Sequence, residues 1–336
     1  MSRLNRSLAL ALALALAVSA LVGCTKADTA TKSTSGESTE TISTKPAAIR
    51  IGTLPTEDAL PLWVAESEGL FKKAGLSVTI TTFQSAQERD TAFASGSIDA
   101  FMGDIIAAAN LESAGSPVSL ATVMLGATPE EGRFGIVVKP GSKYTSLKEL
   151  AGVPIATSSA SIQEYVVDGL MKNAGVSAAQ VKKTMVPKVP ARFELLMSGK
   201  LEAAALPEPL LSLAVKQGAR LIADDTTGTN LSQTVLGVSD KYLAEPAGMV
   251  AVRTLLDAWN AAATKIDASP NKWRALLVDK ARLPEPIKDS YEVNHYPMAT
   301  VPTQAEVDAV LAWMRTKKLL KSDVTYAGLV QQMPQQ

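Results

Sequence analysis

The sequence predicts an α/β protein built from two similar lobes, and three observations lead to that prediction. The segment Arg192–Ala219 repeats the earlier segment Arg89–Gly115 at one constant offset, without a gap. A second pair, Gly69–Ser77 and Gly169–Ser177, matches in the same order at a slightly different offset. Short apolar strand patterns also alternate with helix patterns throughout. Chance similarity from common Ala, Gly and Ser is the alternative, but two ordered matches favour a structural repeat.

The first lobe is predicted to open with an alternating strand at Ile49–Leu54, which Pro55–Asp58 ends. A helix follows over Ala59–Ala74, and Gly75 stops it. Further elements of this lobe are strands at Leu76–Phe83, Ile98–Met102 and Val118–Leu125, with helices at Gln87–Ala94 and up to Ala114. Alternation of this kind implies a parallel sheet with helices on both faces.

The second lobe is predicted to begin where the strand Phe134–Lys139 crosses from the first, and to end before Thr234–Ser239, which returns. Its other elements are strands at Val153–Thr157, Val181–Val186, Leu201–Leu206 and Arg220–Ala223, and helices at Ile162–Ala174 and from Pro190. Helices at Ala247–Ile266 and Gln304–Lys317 then complete the first lobe. The predicted lobes are therefore 48–127 with 234–336, and 128–233.

The N-terminus has the pattern of a targeting segment over residues 1–23. Arg3 and Arg6 precede an apolar run, Leu8–Val22, which is too short to span a membrane comfortably. The run leads into Cys24, the only cysteine, and resembles the lipobox of bacterial lipoproteins. That resemblance implies a lipid on Cys24 and an extracytoplasmic, membrane-anchored protein; an ordinary cleaved signal is the alternative. Residues 24–47 are polar and predict a solvated tether.

Composition argues against several function classes. Lysine and arginine balance aspartate and glutamate, so no strong field favours nucleic acid. A zinc site or a catalytic triad would have to be built around the single histidine, His295, for which packing or surface exposure is the simpler role. We find no paired metal ligands, no phosphate-binding loop and no nucleophile elbow. The sequence therefore predicts no catalytic residues, metal or cofactor.

Ligands of open α/β sheets bind beyond the carboxyl ends of the strands. The candidate ligand-binding residues at those ends are Thr56, Glu57, Asp58, Gln84, Ser85, Gly103, Asp104, Ser158, Ser159, Ser161, Pro207 and Glu208. The serine cluster offers hydroxyls and free N–H groups at a helix start, which suit a polar or anionic part of a solute. Helix capping is the alternative role for the serines, Thr56, Asp58 and Glu208.

The chain resembles a family of periplasmic solute-binding proteins, those for nitrate, sulfonate, taurine and thiamine precursors, from about Ile49 to Val330. The resemblance is carried by IRIGTLP, LWVAESEGLFKKAGLSV, ASGSIDAFMGD and RFELLMSGKLEAAALPEPLLSLAVKQGARLI. It implies a type II periplasmic-binding fold, in which a monomer of two hinged lobes closes on a small solute. It also implies delivery to the permease and ATPase of an ABC importer, and it places the cleft at the candidate residues above.

The candidate site departs from what an oxyanion would need. Glu57, Asp58, Asp104 and Glu208 bring carboxylates near the expected cleft, and Arg133 is the one evident basic counterpart. A bare nitrate or sulfonate would be repelled there, so we expect an uncharged heterocycle or an amine-bearing solute. Two alternatives are a sensor lipoprotein that feeds no importer and an enzyme on the same fold, like those of pyrimidine or menaquinone synthesis.

Overall fold

The computed structural model describes residues 45–228 and 230–330. The predicted signal segment, Cys24 and the greater part of the predicted tether lie outside these residues. Within the described ranges, no helix combines the length and apolarity that crossing a membrane requires.

Within the described residues, ten strands, numbered in chain order, form two five-stranded sheets. The first sheet has the order β2-β1-β3-β10-β4 and consists of β1 (Ile49–Thr53), β2 (Val78–Thr82), β3 (Ala100–Asp104), β4 (Val118–Leu125) and β10 (Thr234–Ser239). The second has the order β7-β6-β8-β5-β9 and consists of β5 (Phe134–Val138), β6 (Pro154–Thr157), β7 (Lys182–Met185), β8 (Ala203–Pro207) and β9 (Arg220–Asp224). The two sheets therefore share one topology.

The helices lie between and after these strands. They are α1 (Leu60–Ser67), α2 (Leu70–Lys73), α3 (Ala86–Ala94), α4 (Ile105–Ser113), α5 (Ile162–Asn173), α6 (Val189–Met197), α7 (Leu210–Lys216), α8 (Asp240–Leu243), α9 (Pro246–Ala268), α10 (Arg274–Lys280), α11 (Gln304–Thr316) and α12 (Tyr326–Leu329). The single helix predicted over Ala59–Ala74 is wrong: a 3₁₀ turn, α1 and α2 replace it, and Gly69 at φ 66° separates the last two.

The sheets are mixed, so the prediction of purely parallel sheets is wrong at the two strands that cross over. β1 runs parallel to β2 and β3, but β10 is antiparallel to β3 and β4. In the second sheet β5 is antiparallel to β8 and β9. The register gives the reason: Thr234 pairs with Asp104, and Phe134 pairs with Pro207. Each crossover strand enters at the carboxyl end of its neighbour, and so it must run in the opposite direction.

The sequence repeat corresponds to a structural repeat. Helices α3 and α6 have the same length and are followed, after equal intervals, by β3 and β8. Arg89 and Arg192, the first matched pair, are both buried beneath their sheets. Nη1 of Arg89 donates to the carbonyl of Met102 at 2.7 Å, and Nη1 of Arg192 donates to that of Val186 at 2.8 Å. Each half therefore uses a buried arginine to bond a backbone carbonyl.

The closing helices behave largely as predicted. The long helix α9 packs on α1, and its buried Trp259 donates to the carbonyl of Pro297 at 2.9 Å. Helix α11 packs on α4 and buries the predicted apolar face of Val307, Val310, Leu311 and Met314. Trp313 on its edge donates to Asp168 of α5 at 2.9 Å, so α11 also contacts a helix that flanks the second sheet.

Two segments connect the sheets, one from β4 to β5 and the other from β9 to β10. They bond to each other: the side-chain amides of Asn230 and Gln233 both donate to the carbonyl of Gly126. The N–H of Phe134 donates to Asp225 at 2.8 Å. The chain therefore crosses between the sheets twice, with the crossings side by side, as a two-segment hinge requires.

Candidate ligand-binding site

A cavity of about 440 Å³ lies between groups that follow strands of the two different sheets. Its wall includes Glu57, just after β1 of the first sheet, and Glu208, just after β8 of the second. Arg133 from the first crossover segment and Tyr291 from the coil after α10 complete much of the wall. We call this space the acidic cavity. It brings together one predicted carboxylate from each half of the molecule.

Glu57 is held rigidly at this wall. It lies in the 3₁₀ turn after β1 and is only 4% exposed. The hydroxyl of Tyr291 donates to its carboxylate, and the hydroxyl of Tyr296 donates to its backbone carbonyl at 2.8 Å. Burial raises the pKa of Glu57 to about 8, with smaller contributions from the charges of Asp58 and Glu208. The Glu57 carboxyl is therefore largely protonated at neutral pH when the cavity is empty.

Glu208 has a different set of partners. Its carboxylate accepts from the N–H of Ser212 at 3.1 Å and from the Ser212 hydroxyl at 2.8 Å, which caps the first turn of α7. Arg133 approaches it at 3.4 Å but also bonds Asp224 at 2.7 Å. Burial raises the pKa of Glu208, and the bonds from Ser212 and Arg133 oppose that rise. Helix capping and exposure to the cavity, which the sequence posed as alternatives, coexist at this residue.

A second cavity, of about 230 Å³, lies beside the second crossover segment. Asp104, Tyr165, Asn230 and Gln233 line it together with apolar residues of α4, α5 and α11. Gln233 is 7% exposed; its amide nitrogen donates to Glu306 at 3.1 Å, but its amide oxygen accepts no hydrogen bond. The amide oxygen of Asn230 also lacks a donor. Two buried amide oxygens without a donor therefore lie close to the second crossover segment.

Two of the four serines among the candidates cap helices, and none of the four lines either cavity described here. Ser85 accepts from the N–H of Glu88 at the start of α3, and Ser161 accepts from that of Glu164 at the start of α5. Ser158 donates to Gln163 at 2.6 Å, and Ser159 is exposed. None of the four lines a cavity. The hydroxyls that the sequence suggested for an anion are thus mostly used within the fold.

Three of the remaining candidates already have hydrogen-bond partners within the protein. Asp104 lines the second cavity, where burial raises its pKa while it caps α4 through Ala107 at 2.8 Å. Asp58 and Gln84 accept from other side chains, Thr234 at 2.8 Å and Arg282 at 3.1 Å.

Thr56, Gly103 and Pro207 line neither cavity. The hydroxyl of Thr56 is buried without a partner, and Pro207 ends β8. At Gly103 a Cβ would lie 2.7 Å from the ring of Phe101, so the absence of a side chain makes room for that ring.

Sequence reasoning missed part of the acidic wall. Tyr291 and Asn294 come from coil after α10, in a stretch whose only sequence signal is its prolines. Ser212 had a detectable signal, because it lies one helical turn after Glu208 and can bond a capping carboxylate. His295, by contrast, is exposed and bonds Asp267 at 2.9 Å, in keeping with the surface role expected of it.

The chain is similar to known proteins both in its family profile and in its fold. The profile of the NMT1-like family matches residues 43–277. A search of curated proteins finds no match. Among solved structures, the chain is similar to the periplasmic aliphatic sulphonate binding protein SsuA from Escherichia coli, with a TM-score of 0.72, 22% identity, and coverage of 87% of this chain and 94% of that one.

Two further structures extend the comparison. The alkanesulfonate-binding protein SsuA from Xanthomonas axonopodis pv. citri, bound to MOPS, has a TM-score of 0.69 and 23% identity over 85% of this chain and 98% of that one. The desulfurization enzyme DSZB has a TM-score of 0.66 and 16% identity over 86% and 97%. These likenesses confirm the predicted α/β fold of periplasmic binding proteins, which both binding proteins and enzymes share.

Proposed function

We propose, since this chain belongs to the NMT1-like family, that it is the substrate-binding protein of an ABC importer. It captures a small organic solute between its two halves and delivers the solute to the permease and its ATPase. The observation that carries the proposal is the acidic cavity, because a buried polar side chain from each half, Glu57 and Glu208, faces the same space. Fold-level likeness to the two sulfonate-binding proteins supports it.

The proposed mechanism is hinge closure. The lobes are 48–127 with 234–336, and 128–233, and they are joined by the two crossover segments. A solute that contacts Glu57 and Glu208 together bonds both lobes only when they approach, so it shifts the population toward the closed form. The monomer is sufficient for this step, because both walls of the cavity come from one chain.

Solute binding is tested on the purified protein with a metabolite panel. A true ligand binds the native state alone, so at a hundredfold excess over its Kd it adds about 2.7 kcal/mol to the free energy of unfolding. We expect one chemical class to raise the melting temperature. Glu285→Gln, an exposed change outside the cavity, is the control and should respond like the wild type. A broad panel that stabilises neither protein would contradict the receptor function.

Membrane anchoring through Cys24 is a separate prediction. Cys24→Ser removes the sulfur that a diacylglycerol would modify, so the variant should move from the membrane fraction to the soluble extracytoplasmic fraction. Thr25→Ser leaves the cysteine in place and should stay with the membrane. Fractionation followed by immunoblotting measures both. Membrane retention of the Cys24→Ser variant would show that another part of the chain anchors the protein.

An enzyme on the same fold is the second candidate, and one observation favours it. The buried, protonated carboxyl of Glu57 has the character of a general acid, and the desulfurization enzyme DSZB has a similar fold. An enzyme would convert its bound solute, whereas a receptor releases it unchanged. Mass spectrometry of a ligand after prolonged incubation with the protein distinguishes the two.

A further inference from the structure

The described wall of the acidic cavity carries more acidic than basic side chains. Its described ionisable residues are four carboxylic acids, Glu57, Glu130, Glu208 and Glu292, against two bases, Arg133 and Lys216. The two buried acids belong to opposite halves, while Glu130, Glu292 and Lys216 are exposed. The innermost part of the wall is therefore the most acidic.

Arg133, the base of the described wall that contacts a buried acid, is already paired with carboxylates. Nε of Arg133 bonds Asp224 at 2.7 Å, and its Nη1 lies 3.4 Å from Glu208. Asp224 lies outside the cavity wall, so the guanidinium has a carboxylate on each side before any solute enters. An anionic solute would have to compete with both carboxylates for this group, which disfavours a sulfonate.

The hydroxyl groups of the wall also donate hydrogen bonds to other atoms of the protein. Tyr291 donates to Glu57, Ser212 donates to Glu208 at 2.8 Å, and Ser290 donates to the carbonyl of Ile287 at 3.4 Å. The side-chain oxygens of Glu57 and Glu208 are therefore the acceptors that a solute meets, while the hydroxyl groups beside them already donate to protein atoms. Hydrogen-bond donors on the solute would therefore be matched more readily than hydrogen-bond acceptors.

A metal ion is not indicated: residues 45–228 and 230–330 contain no group of three or more His, Cys, Asp or Glu suited to hold one.

We propose, resting on the receptor function proposed above, that the solute is an organic cation whose protonated amine lies between Glu57 and Glu208. Glu57 releases its proton to solvent when the cation binds, so the ammonium then donates to a carboxylate of each half, and its charge links the two lobes and favours their closure. A sulfonate or nitrate gains no such pairing and would face Glu208 and an Arg133 that is already paired. This chain therefore takes a solute of the opposite charge to the sulfonates named for its structural neighbours.

The test uses matched probes on the full mature protein. A panel pairs amines with alcohols and sulfonates on the same carbon skeletons, for example phenethylamine with 2-phenylethanol and 2-phenylethanesulfonate. We expect stabilisation by amines only. For the best amine, Glu57→Gln and Glu208→Gln should each raise the Kd at least about tenfold in calorimetric titrations, and Glu285→Gln should leave it unchanged.

The outcomes separate the two proposals. If sulfonates or neutral members stabilise the protein and amines do not, the cationic class is overturned while the receptor function stands. If an amine binds but neither glutamine variant weakens it, the placement between Glu57 and Glu208 is overturned. If no member of this panel binds, the cationic class is overturned, while the receptor function is decided by the broad metabolite panel described above. Circular dichroism of each variant confirms that it is folded before titration.

Discussion

Glu57→Gln will make the protein more stable than the wild type at alkaline pH. The folded-state pKa of Glu57, about 8, lies above the ordinary value of 4.5, so the folded protein binds the extra proton between these values. Stability from this group is therefore complete below about pH 4.5 and is lost as pH rises through 8. Between pH 5 and 9 the loss amounts to roughly 4 kcal/mol for shifts of this size. Glutamine stays neutral and avoids the loss.

The measurement is the free energy of unfolding of both proteins in urea at several pH values. Only the difference between wild type and variant is interpreted, because it removes the contributions of all other titrating groups. Glu66→Gln changes an exposed side chain of α1 and should reproduce the wild-type pH profile. A constant difference between wild type and Glu57→Gln from pH 5 to 9 would show that Glu57 is ionised throughout.

Trp259→Ala will destabilise the protein by about 3–5 kcal/mol, the usual cost of removing a large buried aromatic side chain. Trp259 is 1% exposed, packs edge-to-face on Tyr296 with ring centroids 6.4 Å apart, and donates to Pro297. Tyr296 in turn bonds the carbonyl of Glu57. We therefore expect the variant to lose solute affinity as well, because its cavity wall loses support.

Two variants separate these effects. Trp259→Phe keeps an aromatic ring but loses the indole donor, so it should cost less than the alanine change. Thr264→Ala alters an exposed position of the same helix and should change the free energy of unfolding by no more than about 0.5 kcal/mol. Equal destabilisation by Trp259→Ala and Thr264→Ala in urea would contradict the packing described for α9.

The repeat allowed much of the fold to be predicted. It relates α3 to α6 and β3 to β8, and it correctly implied two halves of one design. The direction of the crossover strands could not be predicted from the repeat, because the pattern of apolar residues along a strand does not show whether the strand runs parallel or antiparallel to its neighbours. The direction of β5 against β8 is shown by the register, which runs from Phe134 paired with Pro207 to Val138 paired with Ala203, between residues far apart in sequence.

The candidate site was predictable where a side chain lies at the end of a strand or shortly after it. Glu57, Asp104 and Glu208 all do, and all line a cavity. The serines satisfy the same rule, but Ser85 and Ser161 are used by their own helices, a local competition that position alone does not resolve. Tyr291 lies in coil without periodicity, and its place depends on tertiary packing against Glu57.

The position of β10 between β3 and β4 has a consequence for the growing polypeptide. Every residue of β4 is buried, yet within its sheet β4 bonds only to β10, which is synthesised much later. The second sheet, by contrast, draws all its strands from one continuous stretch, Phe134–Asp224. The second sheet can thus form before the chain is complete. Until β10 has been synthesised, β4 stays unpaired as an exposed apolar strand, which a chaperone would have to shield from aggregation.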